Sequence, residues 1–226
     1  MTIPTLLNDD GSASIATALM TSHHGFRRDL AQFATALRHL SPGDGSRVEA
    51  LREEWTQFRG KLHGHHEAED SNLFPHLRAQ QPSLAAIIAD LDADHRRVDP
   101  LLEQGDRAFA NLPATLSAAA EIVSSLQTLL APHLASEETQ LFPHLRDHKQ
   151  FPPSESQEEL AMFAAGFAWS THGIAPDIIE RLNEILPPAL VELLPAARAE
   201  FRARCERVWG TAAAGASRTP VPDWLE

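Results

Sequence analysis

Apolar residues recur at three- and four-residue steps through most of this chain, which is the period of an amphipathic helix. No stretch alternates strictly between apolar and polar residues, as a half-buried strand would. The pattern predicts four long helices, over residues 13–40, from Ser46 to about 80, from Pro82 through Phe109, and from Pro113 to about 146. Four long helices joined by short links are typical of an up-down-up-down bundle. We therefore predict an all-α fold built on a four-helix bundle.

A second group of helices is predicted after the bundle. Helix-start patterns indicate a helix near 155–172, a short helix from Pro176 and a last helix that ends at Gly210. We predict that residues 12–150 form the bundle. Residues 151–226 are then a C-terminal helical extension that packs on the bundle and ends in an irregular tail.

Four prolines fall inside the predicted bundle helices, where each removes a backbone hydrogen bond at a cost of about 3 kcal/mol. They are Pro75, Pro100, Pro132 and Pro143. Pro132 directly precedes His133, so a kink or bulge is expected beside that histidine. The alternative is that the helices end earlier than the apolar pattern suggests.

Composition and charge exclude several classes of function. A formal net charge of −12 argues against nucleic acid as a partner, because phosphate binding needs basic patches. Charges interrupt the longest apolar stretches, and the first residues lack a basic segment followed by an apolar block, so we expect neither a membrane span nor a signal peptide. The lone cysteine, Cys205, excludes an internal disulfide and fits a reducing compartment. These features predict a cytoplasmic protein.

One seventeen-residue segment occurs twice in related form. Residues 62–78 read LHGHHEAEDSNLFPHLR, and residues 130–146 read LAPHLASEETQLFPHLR. A shift of 68 residues pairs His65 with His133, Glu69 with Glu137 and Asp70 with Glu138. Each copy carries His-x-x-x-Glu, and four residues at about 3.6 per turn place the imidazole and the carboxylate on one helix face. Two such pairs on facing helices can hold a carboxylate-bridged pair of metal ions.

Helical periodicity selects further histidines for the core. His95 continues the apolar face of its helix, and His23 rather than His24 continues the face of the first helix. For His65 and His66 periodicity does not decide, and the repeat favours His65.

The resulting ligand set has one imidazole on each bundle helix and one carboxylate on two of them. It consists of His23, His65, Glu69, His95, His133 and Glu137. Two divalent ions would neutralise carboxylates that are otherwise expensive to bury. Further candidates for the site are His24, His66, Asp70, Asp99 and Glu138. Of these, His66, Asp70 and Glu138 fit supporting or solvated positions better, and Asp99, one turn after His95, could be a ligand.

A simpler alternative stands beside this interpretation. A single His-x-x-x-Glu is usually an ordinary ion pair on a solvated helix, and only the second copy in register favours a ligand set. Mixed nitrogen and oxygen ligands suit iron, with manganese or zinc less favoured. His172, in WSTHG, fits a structural role, with a lid as the alternative.

At these positions the chain resembles the hemerythrin family, in its bacterial HHE cation-binding branch. The resemblance covers about residues 12–150 and rests on the ligand set above together with the Leu-Phe-Pro that follows each His-x-x-x-Glu. It implies a four-helix bundle around a non-haem diiron centre, in which the two glutamates and a solvent-derived oxo or hydroxo group bridge the irons. Family members reversibly bind dioxygen, sense or detoxify oxygen, peroxide or nitric oxide, or report iron levels.

Two departures from the oxygen-carrying members bear on function. Those proteins have a second histidine where this chain has Asp99, and they use His-x-x-x-x-Asp on the fourth helix, where this chain offers Glu137 and then Glu138. Specialised oxygen carriage is therefore less favoured than a diiron protein that binds or processes dioxygen, hydrogen peroxide or nitric oxide in oxidative or nitrosative stress. The alternative is an iron or oxygen sensor or a non-catalytic, metal-dependent interaction protein. If the protein is an enzyme, a catalase-like or nitric-oxide-handling activity is expected; the sequence leaves this open, and it names no protein partner.

Overall fold

The computed structural model describes residues 5–41, 43–154 and 156–210, and every regular element in these ranges is helical. The α-helices are α1 (Ile15–Arg38), α2 (Gly45–Ala68), α3 (Phe74–Gln80), α4 (Ala85–Ala110), α5 (Leu116–Ser136), α6 (Gln157–Ser170), α7 (Pro176–Glu184) and α8 (Pro188–Trp209). The predicted all-α class is confirmed. The tail after residue 210, predicted to be irregular, lies outside the described residues. None of the described helices combines the length and the apolar character that crossing a bilayer requires.

The second and fourth predicted helices are each interrupted at the same place in the repeat. A π-helical segment, Glu69–Leu73, follows α2, and another, Glu137–Leu141, follows α5. Each begins at the glutamate of His-x-x-x-Glu and ends two residues before a proline, Pro75 or Pro143. A proline ring clashes with the carbonyl group four residues before it, and the wider π turn relieves that clash. The bulge that was expected beside His133 is therefore found at Glu137, four residues later.

The two π-helical segments lead into different structures. The first continues into α3, whereas the second continues into a short 3₁₀ helix, Phe142–Leu145. Pro132 is accommodated inside α5. Pro113, which was predicted to open the fourth helix, lies in the turn before α5.

The chain divides into two compact units, with the division falling inside α1, inside the second π-helical segment and near the end of α8. The first unit holds the described residues up to Arg28 together with Glu138–Glu206, and the second holds Asp29–Glu137 with the described residues from Arg207. The sequence-based boundary at residue 150 is a different division and stays a prediction.

The second unit is built on the apolar faces that periodicity indicates. Its buried residues include Leu51, Phe58 and Leu62 of α2, Ile88, Val98 and Leu102 of α4, and Val123, Leu126 and Leu130 of α5. The Trp55 ring stacks on Phe109, with ring centroids 4.3 Å apart. This packing requires glycine at position 105, because a Cβ there would lie 2.0 Å from the Trp55 ring.

The first unit has its own apolar core around α6, α7 and α8. That core contains Leu160, Ala164, Phe167, Leu182, Leu186, Leu190 and Leu194, with Ala13 and Ala18 from the N-terminal part. Arg28 is buried and donates hydrogen bonds to the carbonyl oxygens of Trp169 at 2.8 Å and His172 at 3.0 Å. These bonds satisfy its charge with the polar end of α6, so the guanidinium anchors the turn between α6 and α7.

Candidate metal centre

The two His-x-x-x-Glu pairs adopt the geometry that the repeat predicts. Nε2 of His65 lies 3.2 Å from Oε1 of Glu69, and Nε2 of His133 lies 3.4 Å from Oε1 of Glu137. In each pair the histidine belongs to the last turns of an α-helix and the glutamate is the first residue of a π-helical segment. The junction between each α-helix and its π-helical segment thus places one imidazole and one carboxylate side by side.

Glu69 lies between two imidazoles. Its Oε1 faces His65, and its Oε2 lies 3.6 Å from Nε2 of His95. The residue is only 2 % exposed, and neither carboxylate oxygen accepts a hydrogen bond from any described residue. Burial, and then the charge of Asp70, raises the pKa of Glu69 well above its usual range. A cation beside these oxygens would remove the cost of burying them.

A second group consists of three buried histidines. The ligand nitrogens of His66, His95 and His133 lie within 4.8 Å of one another, and the Nε2 atoms of His95 and His133 are 3.2 Å apart. In the same unit, His65, Glu69 and Glu137 offer ligand atoms that are also within 4.8 Å of one another.

These separations fit the ligand spacing around divalent cations. Metal–ligand distances of about 2.0–2.2 Å place neighbouring ligand atoms about 3.0–3.5 Å apart in octahedral or tetrahedral geometry. The pairs described above lie between 3.2 and 3.6 Å. The donors are imidazole nitrogens and carboxylate oxygens without thiolate, a set that suits iron and similar first-row cations. The residues of the second unit therefore fit metal ions.

Two aspartates support the histidines of this unit. Nδ1 of His95 donates to Oδ1 of Asp70 at 2.9 Å, and this bond fixes the tautomer that leaves Nε2 available to a metal. Oδ2 of Asp94 lies 3.7 Å from Nδ1 of His133, which is an ion-pair distance rather than a hydrogen bond. Asp70 was predicted at a supporting or solvated position, whereas sequence reasoning missed Asp94, which directly precedes His95.

In the first unit, His23 has an equivalent support. It is fully buried, and its Nδ1 donates to Oε1 of Glu138 at 2.9 Å. Arg27 donates to both oxygens of Glu138, at 2.6 and 3.1 Å. Burial alone would raise the pKa of Glu138, but the hydrogen bonds and charges of His23 and Arg27 outweigh it and hold the pKa below its usual value. Burial lowers the pKa of His23 in spite of the Glu138 carboxylate.

The remaining candidates have other positions. Nε2 of His24 donates to the carbonyl oxygen of His172 at 3.0 Å, which ties α1 to the turn after α6. The His172 ring packs on Phe201, as expected for a structural residue. Asp99 is exposed and belongs to neither group of potential ligands.

Two candidates predicted at supporting or solvated positions are buried. His66 and Glu138 are 5 % and 2 % exposed, which excludes a solvated position and is compatible with a supporting one. Glu138 follows the first residue of a π-helical segment, where residues turn through a smaller angle than in an α-helix, so α-helical periodicity misplaces it. Arg27, four residues after His23, could have been found as its neighbour on the same helix face.

Comparison with known families agrees with this chemistry. The family model described as Hemerythrin HHE cation binding domain matches residues 14–145, with a further match at 86–161. No curated protein and no solved structure matches the chain. The first match covers more than half of the chain, and the chain therefore belongs to the hemerythrin family of HHE cation-binding domains.

Proposed function

We propose that this protein holds two iron ions in a non-haem centre and binds or processes a small ligand such as dioxygen, hydrogen peroxide or nitric oxide. The observation that carries the proposal is the placement of Glu69. Its two buried oxygens face different imidazoles, at 3.2 Å from His65 and 3.6 Å from His95. A carboxylate shared between two imidazole-bound ions is the arrangement of carboxylate-bridged centres in helical bundles.

The proposed ligand set follows the sequence pattern. In it, His65 and Glu137 would join Glu69 at one ion, while His95 and His133 would hold the other. His23 is proposed as the remaining imidazole because its helical register repeats that of His95. The proposed scaffold is the up-down-up-down bundle formed by α1, α2 with α3, α4, and α5.

The burial of these residues suits small-ligand chemistry. Glu137 is fully buried and His133 nearly so, which limits the access of water and favours small uncharged ligands. Iron with an open coordination position would supply both the electrons and the binding position for such a ligand. We place the protein in the cytoplasm, where its single cysteine, Cys205, would stay reduced. Oxidative or nitrosative stress is the proposed setting.

Anaerobic reconstitution with Fe²⁺ followed by elemental analysis tests the proposal. Wild-type protein should bind two irons per chain, whereas Glu69→Gln should bind at most one, because an amide cannot replace a shared anionic ligand. Glu67→Gln, an exposed glutamate on the same helix, is the matched control and should bind two.

The spectrum of the loaded protein then separates the possible roles. A spectrum that forms with dioxygen and reverses under vacuum indicates binding, and sustained turnover of peroxide or nitric oxide indicates an enzyme. The diiron proposal is contradicted if Glu69→Gln still binds two irons, or if the wild-type protein binds fewer than two.

A further inference from the structure

His66 stands outside the repeated pattern. In the second copy of the repeat the equivalent position is Leu134, and both residues are buried, His66 at 5 % and Leu134 at 1 % exposure. Leucine therefore satisfies the packing of this position in one copy. An imidazole in the other copy adds ring nitrogens that can bind a metal ion, which leucine cannot.

The surroundings of His66 are other imidazoles. Its ring lies parallel to that of His95, with centroids 4.0 Å apart and an interplanar angle of 14°. The His133 ring lies edge-on at 5.6 Å. With ligand nitrogens within 4.8 Å of one another, the three side chains converge from α2, α4 and α5.

We propose that His66 is a metal ligand and completes a three-imidazole position with His95 and His133. The inference rests on the proposed function, since it concerns one of the two proposed ions. Three neutral nitrogen ligands suit borderline cations such as Fe²⁺, Co²⁺ and Zn²⁺. Asp70 and Asp94 at the Nδ1 atoms of His95 and His133 supply negative charge without occupying the coordination positions.

Titration of metal-free protein with Co²⁺, followed by equilibrium dialysis and visible spectra, tests this role. The variants are His66→Gln and His66→Leu, the second chosen because leucine packs at the equivalent position of the other copy. His63→Gln, an exposed histidine on the same helix, is the control. Removal of a ligand should raise the dissociation constant of one ion by more than the roughly 10- to 100-fold typical of changes to supporting residues.

Each outcome decides the matter. Two ions in the wild-type protein and the control, with one weakened in both His66 variants, supports the role. Two tightly bound ions with unchanged spectra in the His66 variants overturns it and leaves the diiron proposal standing. Fewer than two ions in the wild-type protein refutes the diiron proposal itself. If neither variant folds, the ¹⁵N signals of the His66 ring are measured in the wild-type protein. Binding of Zn²⁺ to His66 must shift these signals, and unchanged signals would refute the role.

Discussion

The two copies of the repeat make the same hydrogen bond in different surroundings. In the first copy Asp70, the residue after the core glutamate, accepts from Nδ1 of His95 at 2.9 Å. In the second copy Glu138 occupies the equivalent position and accepts from Nδ1 of His23, also at 2.9 Å. Each repeat thus supports a histidine on another helix, and this pairing accounts for an acidic residue at both positions.

The surroundings of the two carboxylates differ sharply. The Glu138 side chain is 3 % exposed and is paired with Arg27, whereas the Asp70 side chain is 40 % exposed and pairs with no arginine or lysine among the described residues. A buried carboxylate needs a cation, while an exposed one is stabilised by water. Both copies of the repeat therefore orient a histidine, although the solvent exposure of the carboxylate that does so differs between them. The Glu138 carboxylate is shielded from solvent, whereas the Asp70 carboxylate contacts it.

Neutralising the Glu138 and Asp70 carboxylates in separate variants should give the largest difference in the free energy of unfolding. Glu138→Gln leaves Arg27 without its carboxylate, which for buried pairs costs about 3–5 kcal/mol. Because Arg27 is 21 % exposed and reaches some solvent, we expect a loss of about 2–3 kcal/mol in the free energy of unfolding. Asp70→Asn, the matched variant, should cost less than about 1 kcal/mol, since water screens that carboxylate.

Urea denaturation of the metal-free proteins at neutral pH measures both changes. Metal must be removed because bound ions add their own stabilisation and would mask the pair. Equal losses for Glu138→Gln and Asp70→Asn would mean that the Arg27 pair does not distinguish the two copies.

A smaller loss of stability should follow when the Arg27 guanidinium is replaced by another cation of the same charge and a different shape. Arg27 forms a fork with both oxygens of Glu138, and lysine can replace the charge but not the fork. Arg27→Lys should therefore lose about 1 kcal/mol in the same assay. Arg96→Lys is the control, because Arg96 and Asp92 form an exposed pair in which lysine should serve equally well. A stability loss as large in the control would attribute the effect to the general difference between the two side chains.

The sequence predicted the helices well because their apolar faces are regular. His23 and His95 were assigned to the core from the three- and four-residue steps around them, and both are buried. The failures begin where the α-helical period ends. Within Glu69–Leu73 and Glu137–Leu141 each residue turns through a smaller angle, so a template of 3.6 residues per turn misjudges which side chains face inward.

The site was predictable to the extent that the repeat encodes it. The pairing of His65 with Glu69 and of His133 with Glu137 follows from a spacing of four residues on one helix. The contacts of Asp70, Asp94 and Glu138 with histidines join different helices, and no spacing along the chain reveals which histidine each will meet. The repeat favoured His65 over His66, and a repeat cannot indicate a residue that only one copy contains.

The smallest expected difference concerns local opening of the two π-helical segments. In Glu69–Leu73 three consecutive residues after the glutamate are exposed, whereas in Glu137–Leu141 both Glu138 and Leu141 are buried. Fewer buried contacts make local opening easier, so amides of the first segment should exchange with solvent about three- to fivefold faster in the metal-free protein. Hydrogen–deuterium exchange with mass spectrometry compares the two segments within one sample, and Fe²⁺ loading should slow both and narrow the gap because each segment begins at a proposed ligand. Equal rates before loading would show that the Arg27 and Glu138 pair orients a histidine without making its segment more rigid.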